Sequence, residues 1–178
     1  MTLAVALLRG VNVGGRAMLS MPELRAALTR RGFEQVQTYV QSGNVILDPG
    51  QGGVRQLAAS LERAISEDFG LPVRVLVRTR KELGEVAASH PLGERQSEPS
   101  RLHVIFLETS PAADKVSALD PDRSPPDRFE VRRREIFLSY PNGQGRSKLD
   151  LAYFERVLGV AGTARNWNTV TKLLTMLG

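Results

Sequence analysis

The sequence predicts an α+β protein made of two tandem ferredoxin-like (split βαβ) units with antiparallel sheets and an extra C-terminal helix. Three observations carry that expectation. Apolar residues switch between a period of 2 and a period of 3.6 along the chain. Over residues 1–79 the periodic segments run in the order β-α-β-β-α-β. The second half repeats the theme imperfectly. A length of 178 residues suits one large or two small domains, and 42% hydrophobic with 24% charged residues is the composition of a folded globular chain.

The first half sets the pattern. Leu3 to Leu8 is a continuous apolar run that reads as a buried strand. Ser20-Met21-Pro22-Glu23 has the form of a capping box, Leu19 and Leu24 hold the staple positions around it, and Leu24, Ala27 and Leu28 share one helical face that ends at Gly32. Val36 to Asp48 alternates apolar and polar residues about the turn chemistry of Ser42-Gly43-Asn44, which predicts a hairpin. Val54, Leu57, Ala58, Leu61, Ala64, Ile65 and Phe69 keep amphipathic helical spacing up to Gly70, and Pro72 to Thr79 reads as a strand. Residues 1–80 are expected to form the first unit.

Residues 81–178 are expected to form the second. A short helix at Lys81 to Ala88 and the polar loop Pro91 to Ser100 mark the transition. Leu102 to Leu107 reads as a strand, Pro111 to Leu119 as a short helix, Asp120 to Asp127 as a proline-rich loop, and Arg128 to Tyr140 as a hairpin turning near Arg133-Arg134. Ser147-Lys148-Leu149-Asp150 is a second capping-box form, ahead of a helix carrying Leu151, Phe154, Val157 and Leu158. The last helix places Val170, Leu173, Leu174 and Leu177 on one stripe, with Trp167 one turn earlier. A helix thus stands where the closing strand of this unit would be, so the second unit is expected to be incomplete.

Composition narrows the function classes. With no cysteine, disulfide staples, thiolate zinc sites and a cysteine nucleophile are all excluded. The opening run from Met1 to Leu8 is short, lacks a basic leader and runs into Arg9-Gly10, and no apolar stretch reaches the roughly 20 residues that span a bilayer. A cytoplasmic location with no membrane partner is expected. The charge of +5 arises from 24 basic and 19 acidic residues interspersed along the chain, a mild bias toward anionic partners.

Three polar stretches carry the candidate chemistry: Arg9 to Arg16, Tyr39 to Asn44, and Thr163 to Thr169. Each joins Arg, Asn or Gln donors to glycines or a helix start, and each falls where a loop is expected. Gly10 to Gly15 follows a strand and precedes a capped helix, a context in which backbone N–H groups can cradle an anion, although a tight exit from the strand is the simpler account of the glycines. The G-x-G-x-x-G and Gly-Lys-Ser/Thr fingerprints do not match. Gly43-Asn44 is ordinary hairpin chemistry, whereas Gln41 and Ser42 add donors and acceptors that a turn does not require. In Arg165-Asn166-Trp167-Asn168-Thr169 helix capping accounts for one Asn, and Arg165 can offer charge-assisted hydrogen bonds. His90 and His103 lack an acidic cluster at ligand spacing, so no metal is expected, and no motif names a cofactor. Scattered carboxylates nominate no acid–base pair, and the predicted strands lack the aromatics of an RNA-recognition sheet.

At these same residues the chain resembles a bacterial family known as domain of unknown function 1697. The similar segments are Leu8 to Gly15, Tyr39 to Asn44, and Arg165 to Thr169. The resemblance implies an α+β chain of ferredoxin-like units and a shared polar site; it implies no reaction, cofactor or catalytic residue.

The leading expectation is a protein that binds an anionic small molecule, a nucleotide or other phosphorylated metabolite, in a polar cleft lined by Arg9, Asn12, Gly14, Gly15, Gln41, Ser42, Asn44, Arg165, Asn166 and Asn168. An enzyme of transferase or hydrolase type acting in the same cleft, with Ser42 or an arginine on the substrate, is the second expectation. A nucleic-acid accessory protein using the arginine-rich surface is the third. Oligomeric state is not indicated.

Overall fold

The computed structural model describes residues 3–96 and 98–178. Met1 and Thr2 of the apolar opening and Ser97 of the polar loop lie outside the described residues. The chain is mixed α+β, with two four-stranded antiparallel sheets and six α-helices among the described residues. It divides into two compact units, Met1–Gly84 with Leu173–Gly178, and Glu85–Lys172.

In the first unit β1 (Ala4–Leu8), α1 (Met21–Arg30), β2 (Gln37–Tyr39), β3 (Asn44–Leu47), α2 (Gly53–Phe69), β4 (Val75–Thr79) and the start of α3 (Arg80–Ala87) follow one another. Strand order is β2-β3-β1-β4. Helix α1 starts where its cap predicts: Glu23 N–H donates to Ser20 Oγ at 3.4 Å, and Pro22 falls in the first turn, where no backbone donor is needed. Alternation sorts the strand residues. Ala4, Ala6, Leu8, Val45, Leu47 and Val75 pack with Leu24, Leu28, Leu57, Leu61 and Ile65 of α1 and α2 in one core. Val5, Leu7, Ile46, Leu76 and Arg78 alternate with them and are buried too.

The second unit carries β5 (Leu102–Leu107), α4 (Ala113–Ser117), β6 (Arg128–Arg132), β7 (Glu135–Ser139), α5 (Leu151–Leu158), β8 (Gly162–Asn166) and the first turns of α6 (Trp167–Met176). Strand order is β6-β7-β5-β8, the same permutation as in the first unit. Ile105, Leu107, Ile136, Leu138, Tyr140, Phe154 and Leu158 build its core.

Two expectations need correction here. A closing strand is present in the second sheet, because β8 pairs antiparallel with β5 from His103↔Asn166 to Leu107↔Gly162, in the segment expected to be a loop opening the last helix. Its polar Thr163, Arg165 and Asn166 hide the strand from pattern reading, and α6 follows it without a connecting loop, as α3 follows β4. The cap of α5 is Asp150, whose Oδ1 accepts from Tyr153 N–H at 2.8 Å; Ser147 instead takes the Leu149 N–H one turn earlier.

The units match at the level of single hydrogen bonds. Leu8 N–H donates to Gly43 O and Leu107 N–H to Arg134 O, each at 2.8 Å; Arg9 N–H donates to Arg74 O and Glu108 N–H to Ala161 O, each at 2.9 Å. The first amide of β4, on Val75, donates to Glu62 Oε1 at 2.9 Å, and the first of β8, on Gly162, donates to Glu155 Oε1 at the same distance. Helices α2 and α5 both close on a left-handed glycine, Gly70 and Gly159. The fourth residue of β4 and of β8 is a buried arginine, Arg78 or Arg165, whose Nη1 donates to the carbonyl just before it.

Candidate functional site

The register of the first sheet sets the C-terminal end of β1, the β2–β3 hairpin and the start of β4 along one edge: Leu7 faces Asn44, Tyr39 faces Asn44, and Leu8 faces Val75. Two of the three motif stretches are therefore brought together within the first unit, and Asn12 joins them. Its Nδ2 donates to Gln41 O at 2.6 Å and to Leu19 O at 2.9 Å, while its Oδ1 accepts from Leu19 N–H at 2.7 Å. Asn12 sits at φ 55°, in the left-handed region that Asn tolerates better than most residues. A backbone bond from Asn12 N–H to Ala17 O and a bridge between Val13 and Arg16 make residues 12–17 a small hairpin. Its tip is Gly14-Gly15 at φ 58° and 71°, the pair of positive angles that a two-residue turn of this twist needs.

The second stretch is braced from beneath. Asn44, fully buried, donates through Nδ2 to Tyr39 O at 2.9 Å and to Ser42 Oγ at 3.0 Å, which closes the turn over its own side chain. Gly43 lies at φ 82°, and a Cβ there would stand 2.5 Å from Val11 Cγ2 and 2.8 Å from Leu8 Cβ. Only a residue without a side chain lets the hairpin approach the β1–α1 loop this closely. Gln41 and Ser42 remain exposed.

Asn12 thus spends its side-chain amide on the backbone, Asn44 bonds Tyr39 O and Ser42 Oγ, and the groups that the platform presents to solvent are others. Gly14, Gly15, Arg16, Gln41 and Ser42 are exposed and Arg9 is half-buried. No acidic residue occurs in residues 9–20 or 39–44, and Arg9 and Arg16 are the charged residues of these two segments. Arg16 was missing from the expected lining, although Val13-Gly14-Gly15-Arg16, a glycine pair between two potential partners, is itself a legible turn signal.

The third stretch belongs to the second unit and is strand, then helix. Arg165 faces Val104 in the register, is 5% exposed, and donates from Nη1 to Thr163 Oγ1 at 2.7 Å and Ala164 O at 2.8 Å. Burial pushes its pKa down to about 10, which leaves it protonated at neutral pH. Asn166 Nδ2 donates to Ser100 O at 2.9 Å, and Asn166 Oδ1 accepts from Asn168 N–H at 2.9 Å, the capping bond of α6. Trp167 packs edge-on against His90, with ring centroids 4.9 Å apart.

Both histidines are held neutral. His90 Nδ1 accepts from Leu92 N–H and Nε2 lies 3.2 Å from His103 O, so the proton resides on Nε2. His103 Nδ1 is buried without a hydrogen-bond partner. Burial lowers the pKa of each below the ordinary histidine value. Two surface cavities lie away from the motif loops: one of about 670 Å³ in the first unit, lined by residues 31–34 and 48–51, and one of about 620 Å³ in the second, walled by Pro121, Pro125, Pro126, Phe129 and Pro141.

Comparison with known proteins agrees with this architecture. The family profile described as "Protein of unknown function (DUF1697)" matches residues 1–137, which takes in the first two motif stretches and leaves the third beyond the match. Among solved structures the chain is similar to that of conserved bacterial protein SP0830 from Streptococcus pneumoniae, with 24% identity, a TM-score of 0.74 and 99% of each chain covered, a likeness of fold. No curated protein matches.

Proposed function

The chain belongs to the DUF1697 family, and from that premise we propose that it is a cytoplasmic protein that binds a small anion, a nucleotide or other phosphorylated metabolite, on the platform built by residues 9–20 and 39–44. Arg9 and Arg16 supply charge, the Gly14 and Gly15 amides and the Gln41 and Ser42 side chains supply directional hydrogen bonds, and Asn12 and Asn44 hold the backbone that carries them. One observation carries the reading: Asn12, fixed by two hydrogen bonds to Leu19 in its own loop, reaches across with a third to Gln41 O, 29 residues away, and so ties the two segments together. A preformed surface lowers the ordering cost of binding. Arg165, Asn166 and Asn168 belong to the second unit, where Arg165 is buried and the Asn166 side chain caps α6, so the residues of the first unit carry the proposal. We also read each unit as a ferredoxin-like (split βαβ) module and the pair as a tandem duplication, which the common strand order and the matched hydrogen bonds support.

Calorimetric titration with inorganic phosphate and mononucleotides tests the binding. Saturable binding is expected, weakened at least about tenfold when Arg9 and Arg16 are both replaced by Ala and unchanged in Arg133→Ala, a surface control in the second unit. No saturation by any of these anions in the millimolar range overturns the reading.

A further inference from the structure

Among the described residues the large hydrophobic side chains recorded as exposed are Val13 at 64%, Met18 at 68% and Val40 at 47%, and all three sit on the two joined loops. Single exposed apolar residues need no explanation, but their concentration here does. Each is one residue away from Asn12 or from a residue bonded to it. Val13 follows it, Met18 lies between Ala17 and Leu19, which both bond to it, and Val40 precedes Gln41, whose carbonyl accepts from its side chain. Val40 in addition lies at φ 50°, a conformation that a β-branched residue seldom adopts.

The two joined loops thus carry exposed aliphatic side chains together with exposed Arg16 and a glycine turn, and neither loop contains a carboxylate. None of these aliphatic side chains offers an aromatic ring, which favours a flexible hydrocarbon over a stacked base. We infer that the ligand of the platform is an anionic amphiphile: its acidic head meets Arg16 and the Gly14-Gly15 amides, and its hydrocarbon portion covers Val13, Met18 and Val40. The inference rests on the anion-binding reading above and adds the tail.

The test titrates the full chain with inorganic phosphate and with ethyl, hexyl and decyl phosphate below their aggregation limits, with decyltrimethylammonium as the opposite-charge control. Affinity is expected to climb along the series by about two- to fourfold per added CH2 that the patch covers. The climb should vanish in a Val13→Ser, Met18→Ser, Val40→Asn variant, whose altered side chains are exposed and whose Asn suits the left-handed position, while phosphate binding itself persists. Equal affinity for phosphate and decyl phosphate overturns the inference and leaves the anion reading intact; equal affinity for the ammonium amphiphile overturns both, as does no binding at all. Co-sedimentation with phosphatidylcholine vesicles carrying phosphatidic acid, compared with free decyl phosphate, identifies whether a bilayer headgroup or a soluble amphiphile supplies the ligand.

Discussion

The two units share a strand permutation, paired strand-end hydrogen bonds and a buried arginine at the same place in the fourth strand, yet they differ at one edge of the sheet. In the first unit residues 9–20 wander between β1 and α1 through left-handed Gly10, Asn12, Gly14, Gly15 and Ala17, and the facing hairpin adds Val40 and Gly43. In the second, residues 108–112 connect β5 to α4 directly, and the facing hairpin turns tightly at Arg133 with φ 52°. The comparison teaches that the long glycine loops are not needed to make this fold, since one unit does without them. Left-handed residues and exposed aliphatic side chains cost stability, and a structure keeps them where they serve something else.

The sharpest way to break the comparison is Gly43→Ala. The new Cβ would meet Val11 and Leu8 at distances no side chain accepts, in a left-handed backbone, so a loss of about 2–4 kcal/mol in urea denaturation is expected. The equivalent Arg134 already carries a side chain in the second unit, and Arg134→Ala should cost well under half as much. Equal losses would show that the close approach of the two loops is not specific to the first unit.

A second, smaller effect separates the units by pH. Both histidines of the chain lie in the second unit, and burial lowers their folded pKa below 6.5 while the unfolded chain keeps the ordinary value. The unfolded state then binds more protons below about pH 6.5, so the histidine contribution is complete above that value and is lost as the pH falls toward the folded pKa. The single tryptophan, Trp167, reports on this unit from its place against His90. Its fluorescence-detected urea midpoint should drop between pH 7.5 and pH 5, and the drop should flatten in His90→Gln, His103→Gln. A midpoint independent of pH in the wild type would show that neither imidazole is held neutral.

The smallest effect sharpens the contrast from the other side. Arg133→Gly relieves a left-handed non-glycine residue at an exposed hairpin tip, but it adds freedom to the unfolded chain and gives up the contact with Glu85 at 3.1 Å. Thermal unfolding should shift by the equivalent of no more than about 1 kcal/mol. A large loss would mean that the short hairpin is as constrained as the glycine loops it replaces.

Much of the fold is legible in the residues alone. The Ser20 cap, the apolar stripe of α2 ending at Gly70, and the hairpin over residues 37–47 follow from periodicity and turn chemistry, which act between neighbours a few positions apart. Strand β8 is not legible in this way. Thr163, Arg165 and Asn166 resemble a loop and a cap until pairing with β5, some sixty positions earlier in the chain, makes them strand. The site divides likewise. The sequence singles out Arg9 to Arg16 and Tyr39 to Asn44 as unusual, because positive φ and polar donors require particular residue types there. Only the folded chain decides that Asn12 and Asn44 turn inward to hold backbone, that Arg165 is buried, and that Val13, Met18 and Val40 stay outside. Residue type sets what a side chain can bond, whereas its partner is set by which distant segment the sheet register brings within about 3 Å.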